Sequence, residues 1–228
     1  MTLSRVTTTN NWTQVYQILK ENILQRKFLP NQKIAIPELA AQLGVSPTPI
    51  RDALSRLEAE GLIRTVPKVG TFVHAVDAAQ AEHLIDARLM MENWVIEKWP
   101  SLPLDRKTHT ISEMSRLTEE ARRMLTPATL EQYLSSKLDN EFHFAFLAAA
   151  GNERISEMYA GTMNYRAFNL AGKLTTLEMC IRSVDQHRAI VEALQSGETA
   201  RMKEAVQDHL YSSKSNLLTF IERSGGVL

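Results

Sequence analysis

The sequence predicts a mainly α-helical protein in two parts: three helices with a β-hairpin, followed by an all-α antiparallel helical bundle. Apolar residues recur at helical spacing in three segments between Asn11 and Glu60, and two short β-rich stretches then flank a Pro-Lys-Val-Gly turn. From about Ala78 onward the pattern is helical throughout. We therefore expect a flexible tail at residues 1–10, a first domain at 11–76 and a second domain at 80–224.

The composition is typical of a globular protein, with 44% hydrophobic and 23% charged residues. Apolar runs are too short to span a membrane, and the N-terminus lacks the apolar core of a signal peptide, so we expect a cytoplasmic protein with no membrane partner. The net charge is zero, but residues 1–75 hold nine Lys or Arg against five Asp or Glu. A local positive surface of this kind is what binding to DNA phosphates requires.

Each predicted helix shows apolar residues at helical spacing and is bounded by proline, glycine or a capping residue. The three N-terminal helices are expected from 11 to about 29, at 37–43 and at 47–60, with hairpin strands at 62–66 and 71–76. The bundle helices are expected near 78–99, 104–125, 128–149, 152–172, 175–195 and 198–223.

The second and third predicted helices have the layout of a helix-turn-helix. Gly44 permits the sharp turn between them, and Val45 fills the gap that the turn leaves. Ser46, Thr48 and Arg51 then point outward at the start of the third helix. Hydroxyl groups in that position can bind phosphates beside the helix amides, and an arginine can reach a guanine edge or a phosphate.

The β-hairpin that follows would supply a wing, with Lys68 at its tip and Gly70 available for a positive φ. A helix-turn-helix layout alone also fits a generic helical hairpin. Three helices followed at once by a β-hairpin are much more specific to a winged helix-turn-helix.

The string Leu39-Ala-x-x-Leu-Gly-Val-Ser-x-Thr-Pro-Ile-Arg-Asp-Ala-Leu, continued by Glu60-Gly-Leu-Ile and by Gly70-Thr-Phe-Val, closely resembles the GntR family of bacterial regulators. The resemblance implies a homodimer that binds a palindromic operator in double-stranded DNA, with the start of the third helix in the major groove.

Carried over by position, the resemblance also implies a set of DNA contacts, namely Ser46, Thr48, Arg51, Lys68 and Gly70. The sequence departs from the family at two prolines. Pro47 stands where many members have an arginine, and Pro37 stands where some have another basic residue. Two cationic contacts are therefore missing, and we expect DNA affinity to depend more on Arg51, Lys68 and Arg64.

A second constellation lies in the predicted bundle. Asp139 and His143 are four residues apart on one helix face, and His187 and His209 each lie within or beside the apolar stripe of a later helix. One carboxylate and three imidazoles from three helices could hold a divalent ion, and this ligand set does not choose among Zn²⁺, Ni²⁺, Mn²⁺ and Fe²⁺. Because a histidine on a helix is usually structural or exposed, the residues alone leave the metal site open.

Asp139-x-x-x-His143, Gly151-Asn152, Ser183-x-x-x-His187 and His209 resemble the C-terminal FCD ligand domain of the FadR subgroup of GntR regulators. In the metal-binding branch of that subgroup, the Asp and three His positions are the metal ligands. A small organic acid typically completes the coordination in such sites.

The same resemblance suggests that Arg88, in Asp86-Ala-Arg-x-x-x-Glu92, is a clamp for the carboxylate of the effector. The alternative is a solvated arginine on a helix face, paired with Glu92 one turn later.

These features predict a transcriptional regulator whose DNA affinity is controlled by a carboxylate effector at a metal site. A metal-dependent hydrolase using the Asp/His₃ site is the alternative from another class. Against it, the sequence shows no separate general base beside the ligands, and a winged helix would have no role. An architectural DNA-binding protein that senses nothing would have no use for the four ligand positions.

Overall fold

The computed structural model describes residues 11–24, 27–163 and 174–228. The chain divides into two compact units, residues 1–75 and 76–228. Helices with one small sheet in the first unit, and helices alone in the described part of the second, confirm the predicted fold class. No described helix is both long and apolar enough to cross a membrane. The proposed tail at 1–10 lies outside the described residues.

Three helices form most of the first unit: α1 (Asn11–Leu24), α2 (Ile36–Leu43) and α3 (Pro47–Ala59). Helix α2 ends at Gly44, whose φ of 65° is the left-handed conformation that favours glycine. The inner face of α3 packs against α1. Its buried side chains are Ile50, Ala53, Leu54 and Leu57.

The wing is part of a three-stranded antiparallel sheet. Its hairpin strands are β2 (Ile63–Val66) and β3 (Gly70–Val73), and a third strand, β1 (Lys33–Ile34), pairs with the other edge of β3. The sequence did not predict β1, because two residues are too few to show the alternation of a strand. The predicted strand at 71–76 was also too long, since its last three residues leave the sheet.

Helices of the second unit lie between Ala78 and Arg223. They are α4 (Ala78–Lys98), α5 (Leu104–Met124), α6 (Leu130–Ser135), α7 (Leu138–Ala148), α8 (Glu153–Met163), α9 (Leu177–Ser196) and α10 (Thr199–Arg223), with a 3₁₀ turn at Trp99–Ser101. Helix α10 packs against α4 and α9, and α5 packs against α7 and α9. Neighbouring helices thus bury a shared apolar core, as in a helical bundle.

The prediction of one helix over 128–149 was wrong, because α6 and α7 are separate. Ser136 between them is extended, with φ −73° and ψ 167°. Its Oγ donates to the carbonyl of Tyr133 at 2.7 Å and accepts from the N–H of Leu138 at 3.4 Å. The serine side chain replaces backbone hydrogen bonds and so lets the helix break there. The helix predicted over 152–172 is present as α8, and residues 164–172 of that prediction lie outside the described residues.

The core of the second unit is mostly apolar, with large buried side chains such as Trp99, Phe142 and Phe146. Within it lie several ionisable side chains that are almost fully buried. These are Arg88, Glu92, His143, His187 and His209. A charged or titratable group is rarely buried without a partner or a ligand, so these residues direct attention to the interior of this unit.

Candidate DNA-contact and metal sites

The three residues that were predicted to face DNA from α3 are all exposed. Ser46 is the N-cap residue, and its side chain makes no capping hydrogen bond. Thr48 lies in the first turn and Arg51 one turn later, while Ile50 between them is fully buried and anchors the helix. Two hydroxyl groups and a guanidinium therefore face solvent at the positive end of the helix dipole, where anions bind.

The predicted wing contacts lie on the hairpin. Lys68 is exposed in the turn, with a φ of 64° that is uncommon for a residue with a side chain. Gly70 begins β3 with a φ of 144°. The turn therefore holds a lysine at its tip and a residue without a side chain beside it.

The three predicted histidine ligands meet inside the second unit. His143 comes from α7, His187 from α9 and His209 from α10, and each is at most 2% exposed. One ring nitrogen of each lies within 4.8 Å of the others, and the Nε2 atoms of His143 and His209 are 3.2 Å apart. Three helices that are distant in sequence thus bring three imidazoles to one point.

The carboxylate of Asp139 completes this group. Its Oδ2 lies 3.9 Å from Nε2 of His143, and its Oδ1 lies 3.9 Å from Nε2 of His187. Asp139 precedes His143 by four residues on α7, so both side chains share one helix face. All four predicted ligands are therefore together.

The geometry and chemistry of this group fit a divalent transition metal. A metal–nitrogen bond is about 2.0–2.1 Å long, so two nitrogens on one ion lie roughly 3–4 Å apart. The 3.2 Å between His143 and His209 is within that range. The His187 ring stacks on Phe142, with centroids 3.9 Å apart and planes 11° apart, which fixes its orientation. Three imidazoles and one carboxylate suit Zn²⁺, Ni²⁺, Mn²⁺ or Fe²⁺.

Arg88 extends from α4 to the same cluster. Its Nη2 lies 3.2 Å from both ring nitrogens of His143 and donates to Oε1 of Glu92 at 3.0 Å. Arg88 therefore pairs with Glu92 one helical turn later, as the spacing of the two residues suggested. Both side chains are fully buried, however. The alternative of a solvated helix-face arginine was therefore wrong.

Tyr159 of α8 closes the network around Arg88, and the sequence analysis missed it. Its hydroxyl accepts from Nε of Arg88 at 3.0 Å and donates to Oε1 of Glu92 at 2.5 Å. Burial raises the pKa of Tyr159 well above its ordinary value, and it raises the pKa of Glu92 although Arg88 opposes that change. A single tyrosine in an amphipathic helix carries no spacing signal that could have marked it.

One oxygen of Glu92 differs from the other. Oε1 accepts from both Arg88 and Tyr159, whereas the buried Oε2 has no hydrogen-bond partner in the part of the chain that the structure describes. A buried acceptor without a donor is costly, and it marks a place where a ligand or an ordered water would fit.

Two family profiles match the chain. Residues 11–73 match "Bacterial regulatory proteins, gntR family", and residues 83–212 match the FCD domain. An HTH-type transcriptional regulator in an unstable DNA locus of Streptomyces ambofaciens is 29% identical, over 88% of this chain and 82% of that protein. The HTH-type transcriptional repressor GlaR of Escherichia coli K12 is 26% identical, over 86% of this chain and 90% of that protein.

Solved structures share the fold. A GntR transcriptional regulator from Rhodococcus sp. RHA1 aligns over 92% of this chain and 99% of its own with a TM-score of 0.64 and 21% identity. Lar of Listeria monocytogenes aligns over 93% and 98% with a TM-score of 0.66 and 19% identity. The matched families and curated relatives are transcriptional regulators rather than enzymes, so the hydrolase alternative has no support. The chain belongs to the gntR family of bacterial regulatory proteins, in the FadR subgroup that carries an FCD domain, and is a DNA-binding transcriptional regulator.

Proposed function

We propose that this regulator is a homodimeric repressor whose affinity for a palindromic operator is controlled by a small carboxylic acid bound at a metal site in the second unit. The observation that carries the proposal is the buried cluster of three histidines and one aspartate, with an arginine beside it. The mode of action is proposed from the relative GlaR, which is named a repressor.

Operator recognition is assigned to α3 and to the wing. Ser46 and Thr48 bind phosphates beside the amides at the start of α3, and Arg51 reads a base edge in the major groove. Lys68 and the backbone at Gly70 contact the DNA from the wing. With Pro47 in place of the arginine found in many family members, Arg51 carries most of the sequence readout from this helix.

The metal would be held by Asp139, His143, His187 and His209. When bound, it supplies positive charge and open coordination positions that a carboxylate can occupy. The three rings are buried, and the stacking of His187 on Phe142 limits the rotation of one ligand.

Arg88 is assigned to bind the carboxylate of the effector. Glu92 and Tyr159 hold its guanidinium against His143, so a cation stands at the edge of the metal site before the effector arrives. The acceptor Oε2 of Glu92 would receive a hydrogen bond from an effector that also carries a donor, such as a hydroxyl group.

Control of transcription follows from the strict spacing of operator half-sites. A dimer places two α3 helices about one DNA turn apart, so a small change in their separation or orientation lowers operator affinity substantially. An effector that favours such a change weakens operator binding. Because coupling between two sites is reciprocal, the operator must weaken effector binding by the same factor.

Metal analysis combined with a thermal-shift screen tests the proposal. We expect purified protein to bind about one divalent ion per chain, and small carboxylic acids to raise the melting temperature only of metal-loaded protein. His187→Ala should lose the ion, whereas the matched variant His109→Ala, at an exposed histidine outside the cluster, should keep it. Metal-free protein that no acid stabilises, with or without added Zn²⁺, Ni²⁺, Mn²⁺ or Fe²⁺, would overturn the metal-and-acid part of the proposal.

A further inference from the structure

A row of cationic and aromatic side chains crosses all three strands of the sheet in the first unit. Phe72 of β3 pairs directly with Lys33 of β1 on one side and with Arg64 of β2 on the other. Directly paired residues of antiparallel strands point to the same face, so these three side chains share one face. The opposite face buries Ile34, Ile63 and Val73. Lys33, Phe72 and Arg64, the wing-sheet row, therefore lie on the outer face.

We propose that the wing-sheet row is a second DNA-contact surface, which binds backbone phosphates in addition to the contacts made by α3 and the wing tip. The proposal rests on the DNA-binding function of this unit. It assigns to Lys33 a contact that lies on a strand the sequence did not reveal.

Lys33 is directed toward the wing turn by Gly70. A Cβ atom at Gly70 would lie 2.6 Å from Cε of Lys33 and 3.4 Å from its Nζ, so the lysine side chain crosses the backbone where a side chain at position 70 would stand. The absence of that side chain lets the ammonium group lie beside the hairpin turn that carries Lys68. Two positive charges are thereby placed at the same end of the sheet.

Arg64 is held in position at the other end of the row. Its guanidinium carbon lies 5.3 Å from the centroid of the Phe72 ring, and its Nη2 donates to Oδ1 of Asn31 at 3.2 Å. Stacking on an aromatic ring orients a guanidinium while leaving other N–H groups available for phosphate oxygens. The positions that face outward on the three strands are Lys33, Arg64, Val66, Gly70 and Phe72, and none of them is acidic.

The distribution of cations within the unit supports DNA as the occupant. The structure describes seven lysines and arginines there. Two of them, Lys20 and Arg56, form ion pairs with Glu60. Of the other five, three lie on the sheet or in its turn. The outer sheet face is therefore a positively charged surface complementary to the phosphates of a DNA duplex.

The salt dependence of DNA affinity tests the proposal, using the full-length protein and an operator selected from a random duplex pool. Log K falls with log[salt] with a slope of about −0.9 for each phosphate contact, so Lys33→Gln should make this slope about 1.8 less steep in a dimer. The same loss should appear with an unrelated duplex, because phosphate contacts carry no sequence information. Lys33→Arg should restore the wild-type slope.

Arg64→Gln provides an independent variant and should also make the slope less steep. The matched control is Lys27→Gln, an exposed lysine outside the three strands, which should leave the slope unchanged. Melting temperatures by circular dichroism confirm that each variant is folded. Wild-type slopes for both Lys33→Gln and Arg64→Gln would overturn the proposal. A slope that becomes less steep by the same amount in Lys27→Gln would also overturn it, because it would indicate a general effect of charge. Operator binding by the wild-type protein itself tests the DNA-binding function separately from the role of the wing-sheet row.

Discussion

The two units place their functional side chains in opposite environments. The proposed DNA contacts Ser46, Thr48, Arg51 and Lys68 are exposed, and a separate set of apolar residues behind them holds the fold. In the second unit, Arg88 and the three proposed histidine ligands are buried in the core, and Arg88 has no exposed surface at all. The proposed binding residues are therefore separate from the residues that hold the fold in the first unit, whereas in the second unit they are part of the core.

The largest effect is expected from Arg88→Met. This change leaves the buried carboxylate of Glu92 without its guanidinium partner, and breaking a buried ion pair in this way costs about 3–5 kcal/mol. Equilibrium unfolding in urea, followed by circular dichroism, should show the loss.

Removing both charges is the matched control. Arg88→Met combined with Glu92→Leu should recover much of the stability, because it leaves neither charge buried alone. The double variant should still fail to respond to carboxylic acids. If Arg88→Met alone is as stable as the wild type, the stability of the second unit does not depend on the contacts of Arg88 with Glu92 and Tyr159.

Arg51→Ala is expected to have the next largest effect, on DNA binding alone. Loss of a bidentate base contact costs about 1–3 kcal/mol, and a dimer loses two of them, so the preference for operator over unrelated DNA should fall by about 2–6 kcal/mol. Unfolding free energy should change by less than about 0.5 kcal/mol, because Arg51 is exposed. Fluorescence anisotropy with both duplexes measures the preference, and a wild-type preference in Arg51→Ala would show that α3 has been assigned the wrong role.

A smaller effect concerns the contact between α1 and α3. Glu60 accepts hydrogen bonds from Lys20 and Tyr16, and although partial burial acts to raise the pKa of Glu60, these bonds outweigh it and hold the pKa below the ordinary value of 4.5. A carboxylate with a lowered pKa stabilises the fold above its unfolded-state pKa, and this contribution is lost as the pH falls through the lower, folded value.

Glu60→Gln should therefore destabilise the first unit by up to about 1 kcal/mol at pH 7, since the pair is about one-third exposed. The difference from wild type should shrink at a second pH below the lowered pKa of Glu60, where the wild-type side chain is also neutral. Urea titrations at the two pH values measure it. A difference that grows on acidification would contradict the assigned sign.

The smallest effect on stability is expected from Ser46→Ala. An N-cap serine usually contributes about 1 kcal/mol through its capping hydrogen bond, but the Ser46 side chain makes none. The unfolding free energy should therefore change by less than about 0.5 kcal/mol while DNA affinity falls. If urea titrations instead show a loss of about 1 kcal/mol in unfolding free energy, and fluorescence anisotropy shows unchanged DNA affinity, this hydroxyl group stabilises the helix rather than binding DNA.

Local sequence signals predicted the first unit well. Gly44 and the prolines predict the ends of α2 and α3 to within about one residue of the observed ends. They do so because the backbone conformation of a glycine or a proline depends on that residue itself and not on distant contacts. The two-residue strand β1 was missed because its pairing partner lies almost forty residues away in sequence. Ser136 was missed as a helix break because serine is tolerated within helices and its effect depends on side-chain hydrogen bonds.

The second site was less accessible to sequence reasoning. Asp139 and His143 share a face by spacing alone, but their meeting with His187 and His209 depends on how α7, α9 and α10 pack. The residues alone left that meeting open, and the family resemblance favoured it. Tyr159 was missed for the same reason, since its contacts with Arg88 and Glu92 cross from one helix to another. The structure brings these side chains together, and metal binding by them stays a prediction.

The most direct test of effector control is the affinity of metal-loaded protein for a stabilising carboxylic acid, measured by calorimetric titration with and without saturating operator. We predict that operator weakens acid binding by the same factor by which the acid weakens operator binding, about 5- to 150-fold for typical coupling. Equal acid affinity for the DNA-bound and the DNA-free protein would contradict control of DNA binding through the second unit.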